Sequence, residues 1–202
     1  MIIGLTGGMG SGKSSALRIF KEIGCRAISA DTIAHSILKK DTKVIKAIIK
    51  TFGEGIIGKS GTINRKKLGR IVFEDDYKRK KLESIIHPAI IAALKREVAK
   101  SKSRKNSLIV EAPLLFEKKL AYLFDGTVVV YVTEKTAIRR LMGRDKLSLK
   151  EAGKRLKMQL PLSEKKKIAD YVINNNTTIR NLKRQVRSLY KVLKKHIAVQ
   201  VN

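Results

Sequence analysis

The chain has 202 residues, 43% of them hydrophobic, enough for one sizeable core with at most a small appended lobe. Its 45 Lys+Arg against 17 Asp+Glu leave a net charge of +28, which attracts anions of every kind. A single cysteine, Cys25, excludes an internal disulfide and a metal site built on several cysteines; between Gly24 and Ala27-Ile28 it reads as a small core residue.

No apolar run approaches the roughly 20 residues that a bilayer-spanning helix needs, and the start of the chain lacks the basic stretch of a signal peptide. A soluble, cytoplasmic protein without a membrane partner is expected. The basic residues are scattered along nearly every segment. Short runs such as Lys78-Arg79-Lys80-Lys81 and Lys165-Lys166-Lys167 read as solvated surface. No aromatic RNA-recognition signature accompanies them, so a dedicated nucleic-acid partner is not expected. Nothing in the sequence specifies an oligomeric state.

Taken in chain order, Ile2–Thr6 is a short apolar run that predicts a buried strand. A helix is expected over Lys13–Ile23, with Ala16, Leu17, Ile19 and Phe20 apolar and Gly24 as its stop. Arg26–Ala30 predicts a second strand, after which Asp31 is placed to cap a helix carrying Ile33, Ala34, Ile37 and Leu38. From Asp41 to about Arg104 the pattern is helical without a strand, broken at the turn-rich Gly53–Gly61. Asn64 is a suitable N-cap for a helix over Arg65–Phe73. The long helical stretch from Asp75 should be interrupted at His87-Pro88, because proline disfavours helix at the residue before it. Strands are predicted again over Ser107–Glu111 and Thr127–Val132, followed by a helix over Thr136–Arg144. Asp145–Lys167 reads as polar, basic and turn-prone. A last short strand, Tyr171–Ile173, precedes a helix over Asn181–His196, with His196 at the surface. The expected architecture is α/β: three layers around a central parallel sheet of about five strands, with a helical lobe at about 32–104 and a lid at about 140–167.

Gly7-Gly8-Met9-Gly10-Ser11-Gly12-Lys13-Ser14 matches G-x-x-x-x-G-K-[ST] at every fixed position. The glycines let the backbone curl until several N–H groups point at one anion. The helix that follows presents its positive end to the same phosphates. Lys13 can reach the β- and γ-phosphate oxygens of ATP, the Ser14 hydroxyl can ligate Mg²⁺, and Ser11 and Ser15 can add hydrogen bonds. Because the loop follows a predicted strand and opens a predicted helix, it reads as a P-loop and not as a chance glycine turn.

The motif alone does not separate kinases from other nucleotide hydrolases. A small GTPase would carry an N-K-x-D segment, which is absent. A small-molecule kinase needs a base for the acceptor hydroxyl, a lobe to hold the acceptor and a basic lid. Asp31, at the end of the second strand, is placed to be the base; its plainer reading is a helix cap alone. Arg140 and Arg144, four apart on one predicted helix, share a face and can neutralise charge on a transferring phosphoryl group, or form a solvated basic face. Glu111 ends the third strand and can hold a magnesium-bound water, or serve as a simple cap.

These segments resemble the dephospho-coenzyme A kinase family over nearly the whole chain. Ser29-Ala30-Asp31-Thr32-Ile33-Ala34-His35 is similar to its D-A-D-x-I-A-[RH] segment, and Gly61-Thr62-Ile63-Asn64-Arg65-Lys66-Lys67-Leu68 to its G-x-I-N-R-x-x-L block. Leu82-Glu83-Ser84-Ile85-Ile86-His87-Pro88 resembles L-E-x-I-x-H-P, and Pro113-Leu114-Leu115-Phe116-Glu117 resembles P-L-L-F-E. Arg140–Asp145 resembles the R-x-x-x-R-D lid entry, and Gln159 with Ala169–Asn175 completes the match. Ser29 departs from the family's first Asp, and Glu111 stands where Asp is more usual.

The resemblance implies transfer of the ATP γ-phosphoryl group, with Mg²⁺, to the ribose 3′-hydroxyl of dephospho-coenzyme A. Another small-molecule P-loop kinase is the alternative. It implies Asp31, Lys13, Arg140 and Arg144 as the catalytic group, and Asn175 near the adenine of ATP beside Gly10, Ser11, Gly12, Lys13, Ser14 and Ser15. Arg65 and His87 are implied on the acceptor side. His35 either faces the acceptor or covers the core; Leu114 is expected in the core, and Phe116 as a wall for the acceptor's apolar parts.

Overall fold

In the computed structural model the apolar run at the start of the chain is a fully buried strand, β1 (Ile2–Gly7). The structure describes residues 1–58, 61–103 and 107–199, the last of these without the side chains of 196–199. The expected lobe end at Arg104 and the side chain of His196 lie outside the described residues. After β1 come α1 (Lys13–Glu22) and β2 (Arg26–Ser29), then four helices: α2 (Ala30–Lys40), α3 (Thr42–Phe52), α4 (Arg65–Glu74) and α5 (Asp76–Ser103). The chain continues with β3 (Leu108–Glu111), β4 (Gly126–Tyr131), α6 (Glu134–Asp145), α7 (Leu149–Leu156), α8 (Leu162–Ile168), β5 (Tyr171–Asn174) and α9 (Ile179–Val199).

Two compact units result: Met1–Ser29 with Val98–Asn202, and Ala30–Glu97. The first holds a parallel sheet in the order β2-β3-β1-β4-β5. β1 and β3 are buried at every residue, as a parallel sheet covered on both faces requires. On one side Phe20 and Ile19 of α1 and Val186 and Leu193 of α9 pack with Leu5, Val128 and Val130; α8 packs on β4. The chain leaves β1 towards β2 but leaves β3 towards β4, in the opposite direction. The strand order therefore reverses between the neighbours β1 and β3, the kind of switch point at whose carboxyl ends open α/β sheets receive their ligands.

The second unit is helical around Ile37, Leu38, Val44, Ile48, Ile56, Leu68 and Ile86. Its helices start as the sequence directs. Asp41 accepts from the Val44 N–H at 3.1 Å, and Asn64 caps α4 by accepting from Lys66 and Lys67, both at 3.1 Å. An isolated antiparallel bridge, Ile57 to Ile63, is its one strand-like pairing among the described residues.

Three expectations need correction. Asp31 does not cap α2: the helix already begins at Ala30, so Asp31 lies within its first turn, where a negative charge favours the helix dipole. α5 is not interrupted at His87-Pro88 but runs through both. Ile85, Ile86, Ala89 and Ile90 on either side of the proline all pack on the core of the unit, and that burial outweighs the lost backbone bond. The stretch after Asp145 is not turn-prone; it forms α7 and α8. α7 opens with a reciprocal capping box, in which the Glu151 carboxylate accepts from Ser148 N at 2.8 Å and the Ser148 hydroxyl accepts from Glu151 N at 3.3 Å.

Candidate active site

The loop from Gly7 to Lys13 joins β1 to α1. Gly10 and Gly12 take φ of 72° and 90°, left-handed values that a side chain resists. Space excludes one as well: a Cβ on Gly10 would lie 2.7 Å from the Ala137 carbonyl oxygen, and one on Gly12 would overlap the Asn175 amide. Gly12 is the N-cap of α1 and supplies no side-chain bond. The N-cap position thus offers the first turn of α1 no side-chain bond, the arrangement in which a helix end receives an anion. The Ser11 hydroxyl is buried without a partner among the described residues. Lys13, the first residue of α1, folds over the loop and donates to the Gly8 carbonyl at 2.8 Å.

Ser14 and Ser15 follow on the first turn of α1, Ser14 exposed and Ser15 half-buried. The Ser14 hydroxyl donates to Glu111 Oε1 at 3.4 Å. Glu111 ends β3 in register with Leu5 of β1 and Ser29 of β2. It is 5% exposed, and no cation pairs with it among the described residues. A buried carboxylate without a cation is costly. Two adjacent oxygens, with phosphate oxygens supplying further ligands, are the donor set that Mg²⁺ uses. The described residues contain no group of three or more His, Cys, Asp or Glu that would make a self-sufficient metal cage.

Arg140 lies on α6 and closes the other side of the loop. Its guanidinium donates to the Gly10 carbonyl at 3.4 Å and to the Asn175 carbonyl at 2.8 Å. Burial, and then the neighbouring Arg139, holds its pKa below the ordinary guanidinium value. Asn175 follows β5 and is buried; its side-chain amide donates to the Ser11 carbonyl at 2.8 Å. Arg144, one turn beyond Arg140, faces away into solvent at 66% exposed and grips Asp145 through two bonds of 2.7 and 2.9 Å. Arg155 of α7 donates to the same carboxylate at 3.1 Å. These bonds, Arg144 first, hold the Asp145 carboxyl below its ordinary pKa.

α8 covers the start of the loop: Leu162 sits where a Cβ on Gly8 would meet it at 3.1 Å. The helix is anchored by Lys165, fully buried, whose ammonium donates to the Pro113 carbonyl and to Glu117 Oε1, both at 2.7 Å. Burial pushes the Lys165 pKa down and Glu117 opposes it. The Thr6 hydroxyl, one residue before the loop, also donates to the Pro113 carbonyl at 3.3 Å. The solvated reading of Lys165-Lys166-Lys167 is therefore wrong at its first member. A lysine run gives no signal of which member turns inward. Glu117 was visible as the end of P-L-L-F-E, but its partner was not. Leu115 is the fully buried residue of that segment; Leu114, expected in the core, is half-buried, as is Phe116.

In the helical unit Asp31 and His35 are exposed, one turn apart on α2, and Arg65 at the start of α4 lies with a guanidinium nitrogen 3.2 Å from His35 Nδ1. Arginine only donates, so in this contact Nδ1 is the acceptor. His87 is half-buried in the interior of α5. The structure thus gathers Gly10, Ser11, Gly12, Lys13, Ser14, Glu111, Arg140 and Asn175 in the first unit, and Asp31, His35 and Arg65 in the second.

A model of the dephospho-CoA kinase family matches residues 1–181. The dephospho-CoA kinase of Carboxydothermus hydrogenoformans is 41% identical over 189 residues, covering 93% of this chain and 92% of that protein. That of Halalkalibacterium halodurans is 37% identical over 192 residues, covering 95% and 96%. Among solved structures, the dephospho-CoA kinase from Campylobacter jejuni superposes with a TM-score of 0.68 at 31% identity, covering 94% of this chain and 95% of that one.

Proposed function

Because this chain belongs to the dephospho-CoA kinase family and phosphorylates dephospho-CoA with ATP in coenzyme A biosynthesis, we propose that its acceptor atom is the ribose 3′-hydroxyl and that Asp31 takes that hydroxyl's proton. The single observation that carries the donor side is the loop Gly7–Ser14: left-handed glycines, an uncapped helix start and Lys13 folded over it. Its amides and Lys13 hold the β- and γ-phosphates. Ser11 and Ser15 add hydroxyl donors. Ser14 and Glu111 would hold Mg²⁺, which would supply charge neutralisation for the phosphoryl transfer.

Phosphoryl transfer of this type asks the protein chiefly for positioning and charge. Arg140, beside the Gly10 carbonyl, supplies positive charge for the transferring group, and Arg144, which faces solvent on Asp145 in this structure, joins it when the lid turns it inward. Asp31, exposed two residues past the last residue of β2, orients the attacking oxygen and accepts its proton. Arg65, with His35 beside it, and His87 hold the anionic acceptor, and Phe116 gives its apolar parts a wall. The helical unit from Ala30 is read as the acceptor lobe and the segment from about 140 to 167 as the lid. The products are coenzyme A and ADP, and the work is done in the cytoplasm, where ATP is supplied.

The test is an acceptor panel with Mg·ATP, reading ADP release and locating the new phosphate by ³¹P NMR. We expect turnover with dephospho-CoA and a 3′-phosphomonoester. A phosphate on another hydroxyl overturns the acceptor assignment. Turnover with adenosine or a nucleoside monophosphate and none with dephospho-CoA would overturn the reaction itself.

A further inference from the structure

Asn175 follows the last strand, where the resemblance places it against the adenine of ATP. Its contacts point to a different task. The side-chain amide donates to the Ser11 carbonyl at 2.8 Å. Its own N–H donates to the Tyr131 carbonyl at 2.8 Å, and its carbonyl accepts from Arg140 at 2.8 Å. Backbone bonds on both sides therefore hold the residue in place, and only 6% of it is exposed. The amide also fills the space in which a Cβ on Gly12 would stand.

The peptide bond from Ser11 to Gly12 is trans, so its C=O and N–H point in opposite directions. Drawing the Ser11 carbonyl towards Asn175 therefore turns the Gly12 N–H the other way. That N–H has no partner among the described residues. The Ser11 hydroxyl in the same turn is buried and equally without a partner. An unsatisfied amide and an unsatisfied hydroxyl in one turn are groups prepared for an acceptor from outside the protein. The neighbouring Gly10–Ser11 peptide is fixed at both ends instead: its carbonyl accepts from Arg140 and its N–H donates to the Gly8 carbonyl at 3.3 Å.

We propose that Asn175 is a positioning residue for the phosphate loop, which orients the Ser11–Gly12 peptide so that its N–H meets a phosphate oxygen, and that it does not read the adenine. The inference rests on the reading of this loop as the ATP phosphate site, and its test separates the two by using a ligand with no base. Binding of inorganic tripolyphosphate, ATP and GTP is measured by calorimetry, without acceptor, for the unaltered protein, Asn175→Ala and Asn175→Asp. The alanine variant should bind tripolyphosphate and ATP each about tenfold more weakly, the size of one lost hydrogen bond of ordinary strength. The ratio of ATP to GTP affinity should stay unchanged. The aspartate variant is nearly isosteric, so it retains the packing if alanine fails to fold. It should bind more weakly still, because a carboxylate cannot donate to the Ser11 carbonyl and repels it. Loss of ATP binding in both variants with tripolyphosphate at the level of the unaltered protein would overturn the proposal and return Asn175 to the base. Unchanged binding of both ligands would overturn it too. If tripolyphosphate fails to bind the unaltered protein, the phosphate-loop reading falls and this inference with it.

Discussion

On the proposed mechanism Lys13 acts on ATP and Asp31 on the acceptor, so substitution should separate them. Asp31→Asn keeps the size of the side chain but removes the base. Turnover should fall by roughly 10²- to 10⁴-fold, the range of general-base groups, with ATP affinity near normal. Single-turnover kinetics beside equilibrium nucleotide binding checks this, and unchanged turnover removes Asp31 from the mechanism. Lys13→Ala should instead lose both turnover and triphosphate affinity in the same pair of measurements. The loop's residues were legible because each has a local reason: positive φ at Gly10 and Gly12, reach at Lys13, a hydroxyl at Ser14. The bond from Asn175 to Ser11 was not legible, because 164 residues separate them and no local rule links the two.

At the scale of elements, α8 is anchored by Lys165, which donates to Glu117 and to the Pro113 carbonyl. Lys165 is fully buried against Glu117, itself 20% exposed. Lys165→Met should strand the Glu117 carboxylate and cost about 3–5 kcal/mol, whereas adding Glu117→Leu should recover most of the loss. Denaturant midpoints of the two variants decide between this and a pair that contributes nothing. The joint between α6 and α7 is electrostatic: Asp145 is gripped by Arg144 and Arg155, and its carboxyl is held below the ordinary value. Its stabilisation is complete above the unfolded-state pKa of aspartate and disappears as pH falls through the lower folded value. Asp145→Asn should remove that part of the acid-side slope in a melting-temperature series against pH. α5 shows why a local rule failed. The restriction before Pro88 is real, but the helix packs apolar residues into the unit's core on both sides of it, and the chain accepts the lost backbone bond.

For the whole molecule, the charge of +28 is spread over many elements and over both units. Distributed charge of this kind gives adhesion to polyanions that is indifferent to sequence and screened by salt. Binding to mixed-sequence DNA should fall steeply with added salt and remain unaltered by Lys13→Ala. Selective binding that survives physiological salt would instead identify a dedicated nucleic-acid surface. No described helix is long and apolar enough to cross a membrane.

What depends on near neighbours could be read from the residues alone. The phosphate loop, the buried strands, the caps at Asp41 and Asn64 and the family blocks are all patterns a few residues long. Short-range sterics and hydrogen bonding produce them wherever they occur. Long-range packing was needed to place Pro88 inside a helix, to make two helices of the polar stretch after Asp145, and to turn Lys165 inward while its neighbours stay at the surface. The same holds for the Asn175 amide on the Ser11 carbonyl. Each of these depends on burial against residues distant in the chain, and packing energy of that kind outweighs local preference without leaving a periodic trace in the sequence.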